Sequence, residues 1–106
     1  MLAFSEFQER AGRTAMYPGE VALEYLALGL ASEAGEVAGK IKKLLRGDQP
    51  PPSMREIAHE IGDVLWYAAE LASAIGWELE EVAQVNLERL ADRHSRGVIK
   101  GSGDDR

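Results

Sequence analysis

The sequence predicts an all-α protein, an antiparallel bundle of four to five helices that is built around two long central helices and completed by oligomerisation. Apolar residues recur at helical spacing through most of the chain, and no segment shows the alternation of a strand. The only strong break is residues 46–53, where three consecutive prolines exclude a helix. The 106 residues suffice for one domain. We expect a helical domain over 1–95 and a flexible, Gly-rich tail over 96–106.

Two helices are predicted before the break. A short one covers residues 5–14, and Pro18 closes it. The next carries an apolar stripe whose members are separated by three, four or seven residues, as one buried helix face requires. These members are Leu26, Leu30, Val37, Ile41 and Leu44.

Two more helices are predicted after the break. Ser53 and Glu56 have the spacing of a capping box, in which a hydroxyl and a carboxylate satisfy free N–H groups at a helix start. An apolar stripe follows as far as Ile75, and Gly76 stands where a helix-ending glycine is expected. The last helix is predicted from about residue 78 to residue 94.

Composition excludes several classes of protein. The formal charge of −6 and the pI near 4.9 argue against a general nucleic-acid surface. The absence of cysteine excludes a disulfide scaffold, a zinc ribbon and a thiol nucleophile. No apolar run has the length of a membrane span, and the N-terminus lacks a signal pattern. We therefore expect a soluble, cytoplasmic protein with no membrane or nucleic-acid partner.

Two pairs of carboxylates lie on or beside the apolar stripes. Glu33 interrupts the stripe of the second helix, and Glu36 leaves the same face one turn later. Glu60 and Asp63 repeat this spacing on the third helix. On neighbouring antiparallel helices the four groups would meet, and partly buried like charges require protons or a cation. Oxygen ligands of this kind suit Mg²⁺ or Mn²⁺.

A plainer interpretation of these carboxylates is that they lie on solvated helix faces, where the E-x-x-E spacing is abundant. One pair alone would carry no information. Two pairs, both reaching a buried stripe and separated by one loop, favour the metal site.

Polar residues near the acids have two interpretations each. Lys40 and Lys43 continue the Glu36 face, either as ordinary surface partners of Glu36 or as phosphate contacts. Tyr67 lies one turn after Asp63 and is either a donor to phosphate or a core aromatic. The last helix carries a polar ridge at steps of three and four: Asn86, Arg89 and Arg93.

Glu56 and His59 form an E-x-x-H motif of the type found in di-iron bundles. Such sites need the motif on two helices, and His94 lacks the matching acid three residues earlier. We therefore interpret His59 as a surface histidine.

The segment Glu33-Ala-Gly-Glu36-Val, followed by Glu60-Ile-Gly-Asp63-Val-Leu-Trp-Tyr67, resembles the signature of the MazG-like nucleoside triphosphate pyrophosphohydrolases, which belong to the all-α NTP pyrophosphatase superfamily. The resemblance extends over nearly the whole chain, from Tyr17-Pro18 to the Gly-rich tail. One departure is Arg89, where the family more often has lysine.

The resemblance implies hydrolysis of a nucleoside triphosphate, ribo or deoxy, to the monophosphate and pyrophosphate, with Mg²⁺ as cofactor and a housekeeping role in the nucleotide pool. It implies a homodimer or homotetramer with sites shared between chains. By motif position the metal ligands and catalytic acids would be Glu33, Glu36, Glu60 and Asp63, and the triphosphate contacts would include Lys43, Tyr67, Asn86 and Arg89. The alternative from a different class is a non-catalytic helical module that binds a nucleotide or a partner protein.

The tail has two interpretations. Its cations Arg96, Lys100 and Arg106 lie on a Gly-rich backbone that we expect to be mobile in the free protein. The segment either orders over a bound triphosphate or is a terminus without a role.

Overall fold

The computed structural model describes all 106 residues and is all-helical, which confirms the predicted fold class. It contains α1 (Phe4–Gly12), α2 (Ala22–Arg46), α3 (Met54–Ala74) and α4 (Leu79–Ser95), with a single 3₁₀ turn at Gly19–Val21. None of the four helices combines the length and the apolar run needed to cross a membrane.

Local capping determines where the helices begin and end. At the start of α3, Ser53 Oγ accepts from the Glu56 amide at 3.0 Å, and the Glu56 carboxylate accepts from the Ser53 amide at 2.8 Å, which confirms the predicted capping box. Gly47 ends α2 and Gly76 follows α3, each with φ of +80°, a conformation that favours glycine. A second box, at Glu78 before α4, was not predicted from the sequence.

The long helices α2 and α3 form the antiparallel pair at the centre of the molecule. The ring of Tyr67 lies directly on Gly29, where a Cβ atom would come within 2.1 Å of the ring. Glycine at this position therefore allows the two helices to approach closely. Helix α4 contacts α1 and α3 but not α2, so the fourth helix does not close the bundle on both sides.

One polar side chain, that of Gln8, joins α1 to the corner between α3 and α4. Its amide nitrogen donates to Ser73 Oγ at 2.9 Å and to the Trp77 carbonyl at 3.0 Å. Its amide oxygen accepts from the Leu79 amide at 2.8 Å. The hydrogen bond from Leu79 satisfies a main-chain amide that the start of α4 leaves free.

The core of a single chain is small. Only eight residues are buried, and the radius of gyration is 16.5 Å, whereas a compact domain of this length has about 13 Å. Large apolar side chains stay exposed along the helices, including Leu28 at 72% and Leu45 at 85%. The members of the predicted apolar stripes are mostly buried or half-buried, whereas Leu28 and Leu45 lie off the stripe of α2 on faces that one chain does not cover.

Candidate metal centre

Three carboxylates converge between α2 and α3. One oxygen each of Glu33, Glu60 and Asp63 lies within 4.8 Å of the others; Glu33 and Glu60 are half-buried and Asp63 is exposed. Oxygens on opposite sides of a hard cation are about 4 to 5 Å apart, because each lies about 2.0–2.6 Å from the ion. The separation of the three oxygens is therefore compatible with shared ligation of one cation.

Within the cluster, Glu33 is the acid whose pKa is shifted. Burial raises the pKa of its carboxyl group, and the negative charges of Asp63, then Glu60, then Glu36 raise that pKa further. None of the salt bridges in the protein involves these acids. A divalent cation would relieve the repulsion that the chain itself leaves uncompensated.

Glu36 is the one predicted acid that lies outside the three-oxygen group. It is exposed on α2 one turn after Glu33, close enough for its charge to contribute to the raised pKa of Glu33. The structure thus brings three of the four predicted acids together and places the fourth beside them.

Tyr67 borders the cluster from α3. Burial raises the pKa of its hydroxyl first, followed by the influence of Tyr25, with smaller contributions from Glu33 and Asp63. The hydroxyl therefore stays protonated at neutral pH and can donate a hydrogen bond. The Tyr67 ring also makes an edge-to-face contact with Trp66, with centroids 5.0 Å apart.

The predicted cations of α2 follow Glu36 at helical spacing. Lys40 is half-buried and Lys43 is exposed, and neither forms a salt bridge. The ordinary Glu36–Lys40 surface pair is therefore absent from this structure, and both ammonium groups are available to a ligand.

The predicted ridge on α4 faces the tail. Arg89 and Arg93 each donate through Nη2 to the Asp104 carbonyl, at 3.1 and 3.2 Å, while Asn86 is exposed one turn earlier. Because α4 does not contact α2, these guanidinium groups do not lie against the helix that carries Glu33.

The tail folds around Arg106. Its guanidinium donates to the Val98 carbonyl at 3.1 Å and to the Gly103 carbonyl at 2.7 Å. A cavity of about 400 Å³ lies between this fold and α4. Its ionic lining consists of four arginines and four acids: Arg89, Arg93, Arg96, Arg106, Glu88, Asp92, Asp104 and Asp105. The pKa of Arg93 is lowered by desolvation and then by the charges of Arg106 and Arg89, while the charge of Asp104 opposes the shift.

Sequence reasoning missed Glu70, which is buried on α3 and accepts a hydrogen bond from the Tyr17 hydroxyl at 3.0 Å. The signal was its spacing, three residues after Tyr67 on the face that carries Asp63. His59 is exposed, as predicted.

The fold and the cluster together define an all-α protein with a candidate metal centre between its two longest helices. The chain belongs to the MazG family: the model for the MazG nucleotide pyrophosphohydrolase domain matches residues 22–98, which contain α2, α3 and α4. Members of this family are typically dependent on a divalent metal. The resemblance seen in the sequence is thereby confirmed.

One curated protein shows how far the likeness extends along the chain. The Gene 37 protein of Mycobacterium phage L5 is 43% identical over 109 residues, covering 94% of this chain and 96% of that protein. No solved structure matches the chain significantly.

Proposed function

We propose that the chain hydrolyses nucleoside triphosphates, ribo or deoxy, to the monophosphate and pyrophosphate with Mg²⁺, and that it serves nucleotide-pool housekeeping. The observation that carries the proposal is the convergence of carboxylate oxygens from Glu33, Glu60 and Asp63 within 4.8 Å. These residues lie in the part of the chain that matches the MazG domain.

The donor set fits a hard divalent cation, because all three groups are carboxylates and their repulsion has no cationic partner in the chain. Glu33, Glu60 and Asp63 would hold Mg²⁺ or Mn²⁺, with Glu36 as the fourth ligand. When bound, the ion would neutralise phosphate charge and make phosphorus more open to attack by water.

The remaining chemistry belongs to side chains of this protein. A carboxylate of the cluster that is not fully engaged in ligation accepts the proton of the attacking water. Tyr67, protonated because its pKa is raised, donates to a phosphate oxygen. Lys40 and Lys43 balance the charge that develops on the leaving pyrophosphate.

Asn86, Arg89 and Arg93 are proposed as further triphosphate contacts that act across a homodimer or homotetramer interface. Support comes from the lack of contact between α4 and α2 and from the exposed apolar side chains of the single chain. Light scattering should give a mass of a dimer or a tetramer of the 11.6 kDa chain. The mass of a single chain at micromolar concentration would contradict the assembly.

Mixed oligomers test the sharing of the site. Asp63→Asn and Arg89→Ala damage different halves of it, so co-expressed chains should form hybrid dimers with one intact site. At triphosphate concentrations far below KM, about a quarter of wild-type activity is expected from the hybrids, since half of the dimers are hybrid and half of their sites are intact. Activity no greater than the average of the two separate variants would contradict a shared site.

The reaction itself is tested by product analysis on a panel of ribo- and deoxynucleoside triphosphates with Mg²⁺. We expect the monophosphate and pyrophosphate from the wild type and neither product from Asp63→Asn. Diphosphate and phosphate as products would contradict the reaction, and binding without turnover would instead support the non-catalytic nucleotide-binding module.

A further inference from the structure

Glu70 is an unusual polar group in this fold because its carboxylate is buried without a cationic partner. The residue is 2% exposed and takes part in no salt bridge. Oε1 accepts from the Tyr17 hydroxyl at 3.0 Å, whereas Oε2 is buried and has no hydrogen-bond partner. Burial of an incompletely satisfied carboxylate destabilises a fold, so its presence suggests a role outside stability.

The position of Glu70 relates it to the candidate metal centre. It lies seven residues after Asp63 on the same face of α3, with Tyr67 between them. Two helical turns separate Glu70 from Asp63, about 10 Å along the axis. This is the length scale of a sugar and a base attached to a phosphate chain, so a nucleotide bound by the acids can reach the Glu70 end.

The hydrogen bond from Tyr17 links Glu70 to an aromatic surface. The ring of Tyr17 is stacked on that of Tyr25, with centroids 5.6 Å apart and planes inclined by 17°. Tyr25 is 42% exposed and lies one turn before Gly29, on which Tyr67 rests. The tyrosines therefore lead from the metal centre to the buried carboxylate, and aromatic faces of this kind accept a flat base by stacking.

In this hydrogen bond the Tyr17 hydroxyl is the donor and the Glu70 carboxylate is the acceptor. Burial, followed by the hydrogen bond and the charge of Glu70, raises the pKa of the Tyr17 hydroxyl. The hydroxyl therefore stays protonated and donates to the carboxylate. Without this acceptor, the ring would lose the only side-chain hydrogen bond that holds it against α3.

We propose that Glu70 is a positioning residue that fixes an aromatic wall, formed by Tyr17 and Tyr25, for the nucleoside part of the substrate. This rests on the proposed function, in which the acid cluster binds the phosphates. Glu70 acts through Tyr17 and does not contact the phosphate chain.

The test compares two ligands in the presence of Mg²⁺. One is the α,β-methylene analogue of the triphosphate that the wild type binds most tightly, and the other is inorganic tripolyphosphate, which has no nucleoside. Glu70→Leu and Tyr17→Phe each remove the hydrogen bond and should weaken binding of the analogue about tenfold. Binding of tripolyphosphate should not change, because the phosphate contacts are intact.

Two further variants separate positioning from a general structural role. Glu70→Gln keeps an oxygen acceptor for Tyr17 and should bind the analogue like the wild type. Glu9→Gln removes an exposed carboxylate of α1 that pairs only with Arg13 and should change neither affinity.

Several results would overturn the proposal. Analogue affinity that is unchanged in Glu70→Leu and Tyr17→Phe would do so, as would an equal loss of tripolyphosphate affinity or the lack of rescue by Glu70→Gln. Equal affinity of the wild type for both ligands would show that the wall contributes nothing. Failure of the proposed function would be seen in the product analysis described above, because the affinities measured here report binding alone.

Discussion

The acid cluster between α2 and α3 and the arginine cavity between α4 and the tail differ in how their charges are balanced. In the cluster, three carboxylates share a space without a cation from the chain. In the cavity, Arg89 and Arg93 donate to one main-chain oxygen, that of Asp104. The cluster therefore lacks a counter-charge, whereas the four arginines of the cavity lie among four acids.

The two regions stay apart within one chain because of how the helices pack. The cluster lies on the central pair, which the contact of Tyr67 with Gly29 holds together. Helix α4 does not contact α2, so its arginines cannot compensate Glu33. Because the two regions are separate, a substitution can alter one of them at a time.

The largest effect is expected in the cluster. Asp63→Asn removes one of the three convergent oxygens and should lower kcat by about 100-fold or more, because metal-based charge stabilisation contributes several kcal/mol. Glu36→Gln, outside the three-oxygen group, should have a smaller effect of the same sign. Steady-state kinetics at saturating Mg²⁺ measure both, and wild-type kcat in Asp63→Asn would remove that residue from the site.

A smaller effect is expected on α4. Arg89→Ala should raise KM for the triphosphate about tenfold, since a charge-assisted hydrogen bond contributes about 1.5–3 kcal/mol. Arg89→Lys keeps the charge but loses the paired donors, so its KM should lie between the KM of the wild type and that of Arg89→Ala. An unchanged KM in Arg89→Ala would show that α4 does not contact the triphosphate.

The tail should have a weaker influence. Arg106→Ala removes the hydrogen bonds to Val98 and Gly103 that fold it, and Arg89 and Arg93 would lose their shared acceptor. We expect KM to rise about threefold because these side chains must then be ordered on binding. Lys100→Ala is the matched control, and a fall in KM for Arg106→Ala would show instead that the tail competes with the substrate.

The smallest effect is a pH-dependent difference in stability. The pKa of Glu33 is raised in the folded protein, so its favourable contribution is complete below its unfolded pKa, about 4.3, and is lost as pH rises through the folded value. In a chelator, the Tm of Glu33→Gln should therefore match that of the wild type near pH 4 and exceed it at pH 7. Thermal melts measure this, and a difference that does not change with pH would contradict the raised pKa.

The helices and most of the acid cluster were predictable because each depends on local sequence. Ser53, Glu56 and Gly76 act on their own helix ends. Glu33, Glu60 and Asp63 interrupt or border apolar stripes whose period fixes the face they occupy. The predicted convergence therefore needed only the antiparallel packing of two helices.

The rest depends on contacts between residues distant in sequence. The hydrogen bond between Tyr17 and Glu70 spans 53 residues, and no period predicts the loop conformation that brings them together. Likewise, Leu28 and Leu45 lie off the stripe of α2, and no period indicates that apolar side chains of this size stay exposed in one chain. The placement of Asp104 over Arg89 depends on the folding of a Gly-rich segment with no regular pattern.

Metal binding by the cluster is tested most directly by calorimetric titration of Mn²⁺ into the wild type, Asp63→Asn and the control Glu9→Gln, without nucleotide. Saturable binding is expected in the wild type and in Glu9→Gln, with at least about tenfold weaker binding in Asp63→Asn. Equal Mn²⁺ affinity in all three proteins, or no binding in the wild type, would contradict the assignment of Glu33, Glu60 and Asp63 as a metal centre.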